Sequence, residues 1–148
     1  MPKIATINYH SLPHAQIADV RKALCVFRSE LHATGINKLT VSSMEIVLAE
    51  ILNNIVEHGI GHRPDGWFCI ECRTGKSVLQ FHIRDNGTAM PNGTLPLGLP
   101  PNINRPLHKM PEGGWGWSLV HALAENLTYL RKDHINHVTY RIPIIISK

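Results

Sequence analysis

Asp85-Asn-Gly-Thr-Ala-Met-Pro91 and, further along, Gly113-Gly-Trp-Gly-Trp-Ser-Leu119 are the stretches whose reading decides the fold. The first sets an acid where a strand-like run ends and a glycine turn begins. The second places glycine backbone just ahead of a helical run. Upstream, Glu50 and Asn54 lie about one turn apart on a helical segment. In this order the parts suit a nucleotide pocket: an acceptor for a base, a lid, a phosphate cradle, and a metal-binding amide beside a carboxylate.

Each part has its own chemistry. A carboxylate fixed at Asp85 accepts a hydrogen bond from an exocyclic amine such as that of adenine, and Gly87 lets a flat ring approach the backbone. Taken alone, Asp-Asn-Gly reads first as a common turn. Gly113, Gly114 and Gly116 offer free N–H groups at a helix N-terminus, a favoured seat for phosphate, although a flexible loop end has the same composition. Their spacing is not that of a Walker loop, and no strand leads directly into them as a dinucleotide fingerprint requires. The Asn54 amide oxygen suits Mg²⁺, which keeps most of its waters. Glu50, one turn earlier, is placed to orient or deprotonate a nucleophile. Without the glycine motifs, Glu50, Asn54, Glu57 and His58 would read simply as the solvated side of a helix.

Working outward, Lys3 to Tyr9 suits a first strand. Ile17, Val20, Leu24, Phe27 and Leu31 recur at helical spacing, with Ser11 and Pro13 suited to the start of that helix and Gly35 to its end. A second helix is expected from around Thr40–Ser43, with Ser42 and Glu45 as a capping box, to His58, stopping at Gly59. Trp67 to Arg73 and Ser77 to Arg84 read as a hairpin through Thr74-Gly-Lys76, with Leu79, Phe81 and Ile83 on the buried side. Met90 to Glu112 carries six prolines and no sustained period, the composition of a lid or binding loop. A third helix from Ser118 to about Asn126 and two strands, Leu127 to Arg131 and His137 to Ile146, complete the chain. The order predicts an α+β fold in two layers, with helices on one face of a mixed, mostly antiparallel sheet, as a single domain over 1–148 with its lid at about 90–112.

The 148 residues are 43% apolar and carry a net charge of +4, ordinary for a soluble domain. The 15 Lys and Arg residues are scattered, which argues against nucleic-acid binding. No signal peptide is visible, and no run approaches the ~20 apolar residues of a membrane span, so a cytoplasmic protein is expected. Cys69 and Cys72 form a CxxC on a strand-like run, where residues three apart face opposite ways, so buried reduced thiols are favoured over zinc.

In combination the motifs resemble a known family. Glu50-Ile-Leu-Asn-Asn54-Ile-Val-Glu-His58 looks like the N-box, Asp85-Asn-Gly87 the first glycine box, and Gly113 to Leu119 the second. These are signatures of the Bergerat-type (GHKL) ATPase fold shared by gyrase, histidine kinases and MutL. The chain looks most like the small bacterial anti-sigma-factor serine/threonine kinases, through Leu48-Ala-Glu50 and the last segment, Ala124 to Arg131 with Asn136 to Tyr140. The resemblance implies ATP and Mg²⁺ as ligands, Glu50 as catalytic base, Asn54 as metal ligand and Asp85 with Gly87 at the adenine. It implies Gly114 and Gly116 over the phosphates and Met90 to Glu112 as the lid, where Arg105 and Lys109 are candidate phosphate contacts. The substrate would be a serine or threonine on a small STAS-type antagonist, and the kinase, commonly a homodimer, would hold a sigma factor. The alternative is a module that sequesters such a partner with ATP as a structural ligand and little turnover. The lid is longer and richer in proline than this family suggests. Trp115 and Trp117 are expected to fill the core, and His58 to pack at its helix end.

Overall fold

The structure, a computed structural model, describes residues 4–98 and 114–146. Most of the expected lid, with Arg105, Lys109 and Gly113, and the side chain of Trp115 lie outside the described residues.

Among the described residues five strands form one sheet: β1 (Thr6–His10), β2 (Phe68–Thr74), β3 (Val78–Asp85), β4 (Glu125–Lys132) and β5 (Ile135–Pro143). Their order is β1-β2-β3-β5-β4. All four pairings are antiparallel, so the mostly antiparallel sheet expected has no parallel pair among the described residues. Among the described residues three α-helices, α1 (Ile17–Ala33), α2 (Lys38–Asn54) and α3 (Gly114–Leu123), make up the helical layer of the α+β fold, with α2 packed between the other two.

Alternation along the strands sets the two layers. Leu79, Phe81 and Ile83 of β3 and Val138, Tyr140 and Ile142 of β5 are buried toward the helices. Phe81 stacks on Tyr140 at 5.1 Å between ring centroids and meets Phe27 of α1 at 5.9 Å. Each such large apolar side chain contributes about 1.5–3 kcal/mol when fully buried. Asp85 and Asn136 continue the same two inward rows and face each other in register. A polar pair thus ends the core's central rows, and there the functional site begins.

Cys72 lies on the helix-facing side, where burial pushes its thiol up to about 12, while Cys69 is buried opposite Arg84 in the alternate phase. The two thiols point away from each other, as their spacing on a strand requires.

The helix ends correct several expectations. Ser11 does not start α1. It extends the sheet instead, its Oγ accepting from Phe68 N at 3.0 Å and its N–H donating to Phe68 O at 2.9 Å. The helix opens at Ile17, where the Asp19 carboxylate accepts from the Gln16 N–H at 2.8 Å. Gly35 ends it as expected, with φ of 89° and Ile36 N donating to Leu31 O at 3.0 Å. The capping box at Ser42 is absent; Asn37 caps α2, its side chain accepting from Thr40 N at 2.9 Å, and Glu45 pairs with Arg28 of α1.

The second helix does not stop at Gly59. It passes through a π-helical turn, Ile55–Ile60, and breaks at Gly61, whose φ is 60°. Lys38–Ile60 is therefore one helical run of 23 residues whose most apolar 18-residue window has a mean hydropathy of 1.4, enough by length and composition alone to cross a membrane, although Glu45, Glu50, Asn54 and Glu57 interrupt it. Half of its most apolar window is buried, with Val47, Leu48, Ile51 and Leu52 in the core, which marks it as the central helix of this domain.

α3 begins at Gly114 rather than Ser118, so Gly114 and Gly116 lie inside its first turn. The last two strands meet through Asp133 and His134, both at positive φ, as a two-residue hairpin loop of the primed type demands.

Candidate functional site

At the end of β3 the chain turns through Asp85-Asn-Gly87, and every part of that turn is tied down. The Asn86 side chain accepts from Trp67 N at 2.8 Å and donates to Asp65 O at 2.9 Å, while Arg63 donates to Asn86 O at 2.9 Å. Asp85 is 2% exposed. Its Oδ1 accepts from Gly87 N at 2.8 Å and from Asn136 Nδ2 at 3.0 Å. Among the described residues Oδ2 has no hydrogen-bond partner, and Asp85 lines a cavity of about 300 Å³. Burial pushes its carboxyl above the ordinary range, against the pull of Asn136, the Gly87 N–H, Arg131 and His137.

Asn54, the last residue of α2, lines the same cavity, as do His58 and Gly59 of the π-turn. The π-turn is an insertion of the kind found repeatedly at functional sites. Here it carries Gly59 against the Asp-Asn-Gly turn, where Thr88 N donates to Gly59 O at 2.8 Å. Apolar walls come from Ile51, Ile55, Met90 and Val138. A cavity of this size, apolar with a few convergent polar groups, is at the small end of ligand sites and matches a flat base.

Gly87 does not line the cavity. It is buried against Gly59, and a Cβ built on it would come within 2.5 Å of Gly59 C and 2.7 Å of Gly59 O. In this structure the turn needs glycine at 87 so that the π-turn backbone fits.

Glu50 also lies outside that cavity, one turn earlier on α2. It is half-buried, and its carboxyl rests against the first turn of α3, where a Cβ at Gly116 would fall 2.1 Å from Cδ and Oε2. Burial, and then the nearby Glu57 charge, push its carboxyl up, the direction a proton acceptor working near neutral pH requires. Asn54 and Asp85 thus share one cavity, and Glu50 and Gly116 meet one turn away.

The donor set fits the expected ligands. Asp85 Oδ2 presents a lone acceptor in an apolar slot, as an exocyclic amine requires. The Asn54 amide suits a metal that draws most of its ligands from water and phosphate.

A model of the histidine kinase-like ATPase domain matches residues 14–142. The chain belongs to this family. It is 32% identical over 90 residues to the serine/threonine-protein kinase BtrW of Bordetella bronchiseptica, a match covering 61% of each chain. It is 27% identical over 95 residues to the serine-protein kinase RsbW of Bacillus mycoides, covering 63% of this chain and 58% of that one. The match to each relative therefore spans less than two thirds of that relative's length. Among solved structures, the RsbU and RsbW domains of a Mycobacterium tuberculosis protein share the fold with a TM-score of 0.61 at 16% identity, over 92% of this chain and 32% of that one.

Of this family member's expected lid, the described start docks on α3. The Pro96 carbonyl accepts from His121 Nε2 at 2.8 Å, and a Cβ at Gly98 would meet Ser118 N at 2.5 Å. Trp117 is buried as expected. His58 is exposed on the cavity wall rather than packed at a helix end, because the π-turn carries the helix past it.

Sequence reasoning missed Asn136, Tyr129 and Arg131 as members of the site. Asn136 had a signal: it is in phase with Val138, Tyr140 and Ile142, so a polar residue there had to be buried and bonded. Tyr129 and Arg131 had none, because their roles depend on the pairing of β4 with β5.

Proposed function

We propose that this chain binds ATP with Mg²⁺ and transfers the terminal phosphoryl group to a serine or threonine of a partner protein, as a cytoplasmic switch on a transcription regulator. One observation carries the reading: Asp85 and Asn54 line a single cavity while Glu50 stands one turn before Asn54, against the first turn of α3. Kinase names on the two relatives support it, as do the motif resemblances to anti-sigma-factor kinases. On that resemblance the substrate is a small STAS-type antagonist, and the partner released is a sigma factor.

In this reading Asp85 Oδ2 accepts from the adenine amine and the apolar walls hold the ring. Asn54 would hold Mg²⁺, which supplies charge neutralisation at the phosphates when bound. Glu50, with its raised proton affinity, accepts the hydroxyl proton of the incoming serine, and the positive end of the α3 dipole favours the phosphate end. Phosphoryl transfer demands positioning and electrostatics more than covalent chemistry, and these residues supply both.

The test is transfer of labelled phosphate from ATP–Mg²⁺ to a STAS-type partner encoded by the same organism, with calorimetric ATP binding measured alongside. Glu50→Ala should reduce transfer by about a hundredfold or more, the usual scale for a general base, with ATP affinity kept. Full transfer by Glu50→Ala would refute the role given to Glu50. Tight ATP binding without a phosphorylated partner would favour a sequestering module with ATP as a structural ligand.

A further inference from the structure

Asn136 is 4% exposed and uses its whole hydrogen-bonding capacity. Its Nδ2 donates to Asp85 Oδ1 at 3.0 Å and to Thr88 O at 2.8 Å, and its Oδ1 accepts from Tyr129 Oη at 2.5 Å and Arg131 Nη1 at 2.9 Å. The directions follow from chemistry. A guanidinium only donates and a backbone carbonyl only accepts, so the amide oxygen faces Arg131 and the nitrogen faces Thr88 O and Asp85. The same reasoning orients Tyr129. Met90 N donates to its hydroxyl at 3.0 Å, which leaves the phenolic proton for Asn136. Arg131 Nη1 also donates to Gly87 O at 2.9 Å.

We propose that Asn136 is the positioning residue for base recognition: held by Tyr129 and Arg131, it fixes Asp85 with Oδ2 toward the cavity and, through the Tyr129 hydroxyl, joins that carboxylate to Met90, where the lid segment begins. The inference rests on the adenine-nucleotide reading above. With Oδ1 saturated by Gly87 and Asn136, only Oδ2 is left for a ligand, so the base meets one acceptor in one orientation. Every bond in the chain from Met90 through Tyr129 and Asn136 donates toward Asp85, and aligned bonds polarise one another. That alignment favours the ionised carboxylate and opposes burial, which still holds its proton affinity above the ordinary range. A protonated Oδ2 would donate where the adenine amine also donates, and binding would fail.

The charged and titratable groups around Asp85 are Arg131 on β4, His137 on β5 and Cys69 on β2, with His58 of the π-turn on the cavity wall. A pH profile must separate them.

The experiment measures ATP–Mg²⁺ affinity across the pH range in wild type, Asn136→Leu, Asn136→Ser and His137→Gln, with the melting temperature of each. Amide exchange at Met90 is followed in Tyr129→Phe, which keeps the ring and its packing. Asn136→Leu or Asn136→Ser should weaken ATP about tenfold near neutral pH, the worth of one bond to a charged group. The pH at which binding is lost should move up, and His137→Gln should leave that shift absent. Nucleotide titration is common to all variants and cancels in the ratios. Met90 exchange should quicken about tenfold in Tyr129→Phe. A purely structural role would lower the melting temperature without moving the binding profile. The proposal is overturned if wild type binds ATP through Asp85 while the Asn136 variants share its affinity and profile, or if Met90 exchange is unchanged in Tyr129→Phe. ATP binding that is absent from wild type, or indifferent to Asp85→Asn, would overturn the nucleotide reading and this inference together.

Discussion

Asp85 carries two opposing demands, and the balance between them is testable at a single residue. The site needs an ionised acceptor, yet burial makes ionisation costly, so its folded proton affinity stays raised. For a carboxyl raised on folding, the associated stability is present below the ordinary carboxyl pKa and is lost as pH rises through the folded value. Near neutral pH the ionised Asp85 therefore costs the empty protein stability. Asp85→Asn removes that cost and keeps an oxygen for the Gly87 and Asn136 donors. Its melting temperature without nucleotide should equal or exceed wild type at neutral pH, with the difference shrinking in acid, while ATP affinity falls at least tenfold. A variant markedly less stable at every pH would show that the ionised form supports the fold. Asp85 was legible from sequence because the strand alternation that buries Ile83 also buries the next residue in phase. The reason for Gly87 was not: the sequence suggests room for a ring, and the structure shows room for Gly59.

The π-turn at Ile55–Ile60 is the element on which the site depends, and it explains why the helix ends were misread. Regular periodicity carries Glu50 and Asn54 correctly onto one side of α2, but a single wider turn changes the direction of everything after it. It leaves His58 on the cavity wall and Gly59 against the Asp-Asn-Gly turn. Nothing in local composition marks such a turn; it is fixed by the packing of Ile55, Val56 and Ile60 in the core. The helix starts were misread for a related reason, since Ser11 and Ser42 have capping chemistry but Ser11 is taken by the sheet and Asn37 caps α2 first. The contact between Gly59 and Gly87 is backbone on both sides, so neither partner has a flexible end to move aside. Gly87→Ala should destabilise by about 1–3 kcal/mol, the usual cost of overpacking, seen as a lower denaturant midpoint with unchanged slope. ATP affinity should fall with it, because the π-turn and the turn beneath Asp85 would be forced apart. A variant with wild-type midpoint and affinity would mean that the two turns are not held together by close contact.

At the scale of the molecule, the cavity lies where both layers meet: α2 and its π-turn on one side, β3, β4 and β5 on the other, with Met90, Pro91 and Pro96 completing the lining. That placement was legible in outline, since the order of elements predicts helices over one face and the two glycine motifs predict that face's loops as the site. The strand order was less so. It brings β5 between β3 and β4, and only that arrangement sets Asn136 beside Asp85 and lets Tyr129 reach Met90. Because the walls come from segments distant in sequence, no unfolded chain can present them together, and a ligand of this cavity must bind the native state alone. By linkage, ATP–Mg²⁺ at a hundred times its Kd should add about 2.7 kcal/mol of stability, raising the melting temperature by about 5–10 °C for a domain of this size. The rise should grow with the logarithm of nucleotide concentration and fall to about half or less in Asp85→Asn over the same range. A nucleotide that bound a surface patch through its phosphates alone would stabilise both proteins equally and lose its effect in high salt, so the melting series separates the two modes without any partner protein.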